Sequence, residues 1–162
     1  MIRGDSNPYN FFILAYFMKV YIAGKIWTDE EREILEKIDA LCKKLGLETF
    51  LPHRDVGFAK SINDAEKIFK ADITLGFKDI KLVIASLNGL HVGAGTAWEL
   101  GYAYALGIPS AGIKTDESPE EGFEYLSSIL IASMPIARSF RELEKMLKRF
   151  KDKKLLQKTH TS

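Results

Sequence analysis

The sequence is poor in the residues that announce specialised chemistry. Its single cysteine, Cys42, cannot form an internal disulfide and supplies no metal cluster. Neither sign of charge dominates: 23 Lys and Arg against 22 Asp and Glu leave +1 over 162 residues. That balance gives no electrostatic case for nucleic acid or an anionic membrane as a partner. The apolar run from Phe11 to Ala23 is interrupted by Lys19 and falls short of the roughly 20 residues a spanning helix needs. No small-residue cleavage site follows it. His53, His91 and His160 are too dispersed to form a ligand set, so neither metal nor redox cofactor is expected. These absences leave a soluble, cytoplasmic domain, and 46% hydrophobic residues are enough to give it a core.

What the sequence has is alternation. Met18 to Gly24 reads as a buried first strand ending in a turn, which makes residues 1–17 an extension ahead of a second start at Met18. Thr28 and Glu31 form a capping-box pattern, and Ile34, Leu35, Ile38 and Leu41 recur at helical spacing until Gly46. Glu48 to Leu51 is a short strand closed by Pro52, with a polar loop from His53 to Gly57. A helix is expected from Ser61 or Asn63 to Phe77, with Ala65, Ile68, Phe69 and Ile73 inward. Lys81 to Ser86 is the continuous apolar run that a parallel strand requires. Beyond it come a helix from Thr96 to Leu106, a strand from Ile108, a helix over Phe123–Ile131, a short strand Ile136-Ala137 and a helix Arg141–Lys151. This order specifies an α/β fold: one doubly wound parallel sheet, flavodoxin- or Rossmann-like, flanked by helices. No repeat or linker divides it, so a single domain spans 18–151 and a basic tail 152–162. The tail has almost no aromatics for stacking on bases, and its lysines read as a solvated helix end.

In such sheets ligands bind beyond the carboxyl ends of the strands, where strand order reverses. The loops Gly24–Thr28, His53–Gly57 and Leu87–Thr96 leave such ends. The third, with Asn88, Gly93, Gly95 and Thr96, opens a helix whose free N–H groups suit an anion. It lacks both the dinucleotide fingerprint and the phosphate-loop Lys-Ser/Thr pair. Glu99, one turn further, has two readings. It either closes a capping box on Thr96 or faces the crevice as a reactive carboxylate.

Three segments bear on that choice: Tyr21-Ile22-Ala23-Gly24, Leu51-Pro52-His53-Arg54-Asp55, and the run from Gly95-Thr96-Ala97-Trp98-Glu99-Leu100-Gly101 to Gly107. Together they resemble the nucleoside 2-deoxyribosyltransferase family, with its related 2'-deoxynucleoside 5'-monophosphate N-glycosidases, in matching order from Met18 to Met146. The resemblance implies that Glu99 is the nucleophile, Asp72 the proton donor or orienter, and Tyr21 the residue that positions Glu99. It implies contacts to base, sugar or phosphate from Gly24, Lys25, Trp27, His53, Arg54, Asp55, Asn88, Gly93, Gly95 and Thr96. It also implies a homo-oligomer whose subunits share sites, with Ser128 reaching a neighbour's pocket. Substrates would be a deoxynucleoside or deoxynucleotide and a free nucleobase. Each residue also has a structural reading: Tyr21 as a satisfied core tyrosine, Asp72 as a solvated helix residue, Trp27 as packing, and His53-Arg54-Asp55 as a turn.

The chemistry suits the residue types. Breaking the C1'–N bond develops oxocarbenium character, which a carboxylate stabilises before forming a glycosyl ester, while the leaving base needs a proton. Two positions depart from the transferase pattern. Gly93 stands where an Asp holds the sugar 5'-hydroxyl, and Ser128 stands where an Asn is supplied by the neighbour. Both leave hydrolysis of 5'-monophosphates as an alternative. A binding module without catalysis is the other.

Overall fold

The computed structural model describes residues 18–122 and 124–159, with side chains to Lys153. The extension 1–17, Phe123 and His160 lie outside the described residues. The elements are β1 (Lys19–Ala23), α1 (Asp29–Lys44), β2 (Glu48–Phe50), α2 (Pro52–Asp55), α3 (Ala65–Lys70), β3 (Ile80–Ser86), α4 (Ala94–Ala105), β4 (Ser110–Ile113), α5 (Ser128–Ser133), β5 (Ile136–Ala137) and α6 (Phe140–Thr159). A 3₁₀ turn, Ile62–Asp64, precedes α3, and a π-helical turn, Ala71–Gly76, follows it.

The strands form one sheet in the order β2-β1-β3-β4-β5, and every pairing is parallel. Strand order reverses between β1 and β3, which pair from Val20 opposite Leu82 to Ala23 opposite Ala85. Because side chains alternate across a strand, β1 divides its apolar residues between two cores. Val20 and Ile22 pack with Leu35 and Ile38 of α1 and Leu143 and Leu147 of α6. Tyr21 and Ala23 face the other way, among Phe50, Phe77, Val83, Leu100 and Ala103. Leu35 and Ile38 are fully buried, so truncating either to Ala costs about 2–5 kcal/mol. The sheet thereby presents Tyr21 toward α4 and not toward α1.

The capping box at the start of α1 forms as its sequence predicts, with Thr28 accepting from the Glu31 N–H. Five expectations are corrected. The loop at His53 is a one-turn helix, α2, because Asp55 accepts from the Leu51 N–H 2.8 Å away and folds the chain back. The helix expected from Ser61 or Asn63 to Phe77 breaks into 3₁₀, α and π pieces, and Ala65 and Phe69 are exposed. The Phe69 ring meets that of Trp98 edge to face, 5.6 Å between centroids. Residues 119–122 and 124–125 are turns, and the helix expected from Phe123 starts at Ser128 under a Ser127 cap. The last helix runs on to Thr159, through much of the expected tail. Finally, α4 starts at Ala94 and not Thr96. Among the described residues, no helix is long and apolar enough to cross a membrane.

Candidate active site

Tyr21 is fully buried, its ring 5.4 Å from Phe50 and 4.4 Å from Phe77 between centroids. Packing therefore leaves its hydroxyl one direction, and the hydroxyl donates to Glu99 Oε1 at 2.6 Å. Glu99 can accept because α4 begins earlier than the capping-box pattern requires. Gly93 is the N-cap, Thr96 lies buried inside the helix, and Glu99 is its sixth residue. The capping reading of Glu99 is thus set aside. Its carboxylate spans from α4 to β1 instead of closing its own helix.

Burial pushes the Glu99 carboxyl up to about 7; the Tyr21 hydrogen bond opposes this, and the charge of Asp72 adds to it. Burial alone pushes Asp72 up to about 6. The Tyr21 phenol is pushed far above its ordinary value by burial and by both carboxylates, so it remains a donor. Asp72 lies in the π-helical turn, a departure from α geometry that recurs at functional sites. Its Oδ1 is buried with no hydrogen-bond partner among the described residues. Two coupled carboxyls with raised affinity for protons, one held by a phenol and one unsatisfied, form a unit able to hold and move a proton near neutrality.

A cavity of about 360 Å³ opens beside the ends of β1 and β3, lined by Lys25, Glu31, Ser86, Asn88, Gly89 and Asp116 among others. The chain beside Lys25 needs small residues. A Cβ on Gly24 would meet the Leu35 side chain at 2.5 Å, and one on Gly93 would meet Lys25 Cγ at 2.9 Å. Lys25 runs between Gly89 and Gly93 to pair with Glu31 at 3.1 Å. Gly93 borders Lys25 and caps the helix that carries Glu99, whereas Tyr21, Asp72 and Glu99 are not among the residues that line this cavity.

The family model described as nucleoside 2-deoxyribosyltransferase matches residues 20–134, from β1 through α5. The chain belongs to the nucleoside 2-deoxyribosyltransferase family. It is therefore an enzyme of N-glycosyl bond chemistry on 2'-deoxynucleosides. No curated protein sequence matches it. Among solved structures it is similar to a conserved protein from Enterococcus faecalis V583, 24% identical, with a TM-score of 0.64 over 82% of this chain and 98% of that one. It is similar also to a 2-deoxyribosyltransferase from Bacillus psychrosaccharolyticus, 20% identical, TM-score 0.64, over 78% of this chain and 90% of that one. At such identities these two likenesses establish the shared fold.

Within that family frame, the other residues anticipated from sequence separate into groups. Asn88 reaches the cavity wall, where its side chain exchanges two 2.9 Å hydrogen bonds with Thr115. Gly95 faces open space at the start of α4. Trp27 is 74% exposed in the first loop, where its backbone N–H donates to Glu31 at 3.0 Å. Arg54 and Asp55 follow their structural reading: Arg54 bonds Asp39, Asp55 and the Thr49 carbonyl, which ties α2 to α1 and β2. His53 packs 6.3 Å from the Phe58 ring, its Nε2 3.4 Å from Glu36. Ser128 opens α5 at the surface.

Three contributors were not anticipated. Asp116 lines the cavity and accepts from the Gly89 N–H at 2.6 Å. Lys114 is fully buried behind it. Gly76 leaves room for the Tyr21 ring, since a Cβ there would come within 2.8 Å of Tyr21 and 2.7 Å of Phe50. No local pattern marks these positions. A lysine in Gly112-Ile113-Lys114-Thr115 reads as the end of a strand, and only the sheet order brings it behind Gly89.

Proposed function

We propose that this chain cleaves the N-glycosidic bond of a 2'-deoxynucleoside through a deoxyribosyl ester on Glu99 and transfers the sugar to a second base. A Glu99 oxygen attacks C1'; the C1'–N bond breaks, and its electron pair leaves with the base, which takes the proton of the Asp72 carboxyl. The incoming base then attacks C1', the ester C1'–O bond breaks, and Asp72 recovers a proton from the incoming nitrogen. Tyr21 holds the attacking carboxylate in place without giving up its proton. The observation that carries this reading is the 2.6 Å bond from a fully buried Tyr21 to Glu99, with an unsatisfied Asp72 electrostatically coupled to both.

The test is incubation with deoxyadenosine and a free acceptor base, followed by separation of products. A new deoxynucleoside supports transfer. Free base with deoxyribose means that water takes the place of the second base. Binding without turnover means a module whose Glu99 is only structural.

One observation favours a 5'-monophosphate as an alternative substrate. Position 93 carries no carboxylate to repel a phosphate, and the stem of Lys25 lies against it. Release of base from deoxyguanosine monophosphate, but not from deoxyguanosine, would establish that reading.

The site is read as shared between copies of the chain. An apolar groove of about 470 Å³ between α4 and α5 is lined by Ala97, Leu100, Gly101, Tyr104, Ile129 and Leu130. Tyr104 and Ile129 are largely exposed in the single chain, and Ser128 adjoins them. An apolar surface of this kind suits a second copy. A balanced charge and a lone buried Cys42 fit an enzyme of the cytoplasm that acts on small molecules.

A further inference from the structure

We infer that Lys114 and Asp116 are positioning residues that hold the Gly89 peptide from both sides and so set the shape of the substrate cavity from β4. The inference rests on the function proposed above and takes the cavity beside the ends of β1 and β3 as the one that receives the substrate. Lys114 is 1% exposed, an unusual place for an ammonium group. Its Nζ reaches the Gly89 carbonyl at 3.2 Å, the Leu87 carbonyl at 3.4 Å, Asp116 at 3.0 Å and Glu117 at 3.2 Å. Asp116 uses its other oxygen to accept from the Gly89 N–H. Donor and acceptor of one loop residue are thus fixed by two side chains two positions apart, at the end of a neighbouring strand. The Asn88–Thr115 pair adds two bonds beside them.

The clamp has a route into the site. Gly89 adopts φ +93°, a left-handed conformation that favours glycine, and a Cβ there would come within 2.6 Å of Lys25 Nζ. The stem of Lys25 in turn lies on Gly93, the cap of α4. A shift of the Gly89 peptide therefore reaches Lys25 and the cavity wall. The Tyr21 ring stands outside this route, since Phe50 and Phe77 hold it, and its 2.6 Å hydrogen bond holds Glu99 from the β1 side. Loosening the clamp should accordingly weaken substrate binding and spare the chemical step.

Asp116→Ala is the first variant, because its side chain is 39% exposed and its removal leaves Lys114 paired with Glu117. Asp116→Asn keeps an oxygen for the Gly89 N–H, and Lys114→Met removes the other half of the clamp. Hydrogen exchange of the Gly89 amide should accelerate about tenfold in Asp116→Ala, with the sheet amides unchanged. KM should rise about tenfold with kcat within about threefold, and Asp116→Asn should recover part of both losses. A released Gly89 amide with unchanged KM would overturn the inference, as would a fall in kcat at constant KM. Should Glu99→Gln turn over as fast as the parent enzyme, the glycosyl mechanism fails separately. Calorimetric affinity for the deoxynucleoside then judges the clamp: weaker binding in Asp116→Ala supports it, and equal binding rejects it.

Discussion

Tyr21 on β1 donates its hydroxyl to Glu99 on α4 at 2.6 Å, across 78 positions of chain. The bond joins the centre of the sheet to the carboxylate assigned the attack. Tyr21→Phe removes one oxygen and leaves the ring between Phe50 and Phe77, so the fold should persist. Without the donor, Glu99 loses the interaction that opposes its raised proton affinity. The acid limb of the pH–rate profile should move to higher pH, and kcat should fall roughly 10- to 100-fold, equivalent to about 1.4–2.7 kcal/mol. Steady-state kinetics across pH 5 to about 9 checks both effects.

Gly76 offers a test of the same relationship by displacement instead of deletion. Gly76→Ala places a methyl within 2.8 Å of the Tyr21 ring and 2.7 Å of Phe50, so one ring must move. Small shifts of a positioning group are costly to catalysis. Activity should fall in this variant while circular dichroism stays that of the parent.

The two carboxyls also leave a mark on stability. Glu99 goes from an ordinary 4.5 to about 7, and Asp72 from 3.8 to about 6. In both cases the folded state holds the proton more tightly than the unfolded chain. Their contribution is therefore most favourable below the unfolded values and is lost as pH rises through the folded ones. Glu99→Gln removes the larger of these costs. Its stability relative to the parent should rise on the order of 2 kcal/mol between pH 4.5 and pH 8, read as the difference between urea denaturation midpoints. A constant difference across that range would show that Glu99 is not buried as described.

The sheet was legible because buried parallel strands need continuous apolar runs and Lys81 to Ser86 is one; the cap at Thr28 was legible because it is local. Where tertiary contact decides, the sequence was less informative. Phe69 has helical spacing for a core residue, yet it is 52% exposed, with its ring against Trp98. Thr96 and Glu99 match a capping box, but the helix starts two residues earlier, and the carboxylate bonds Tyr21 instead. The pairing of Tyr21 with Glu99 was expected from family resemblance, since no short-range rule links them. Lys114, Asp116 and Gly76 act across neighbouring strands and loops, beyond the reach of any spacing argument.

Association of copies through α4 and α5 makes a further prediction. Ile129 is 77% exposed, so Ile129→Glu costs the isolated chain little. In a shared interface it buries a charge against Tyr104 and Leu130 of the groove, which should split the assembly. Sedimentation should show the parent as an oligomer and Ile129→Glu as a smaller species with lower activity. Identical sedimentation of the two would remove α5 from the interface.

The covalent role of Glu99 is tested most directly by trapping. A deoxynucleoside bearing fluorine at C2' slows formation and breakdown of the glycosyl ester, and mass spectrometry of peptides then locates the bound sugar. One fluorodeoxyribosyl group is expected on the peptide containing Glu99, discharged by a free base and absent from Glu99→Gln. A sugar found on another residue, or Glu99→Gln turning over at the parent rate, would contradict it.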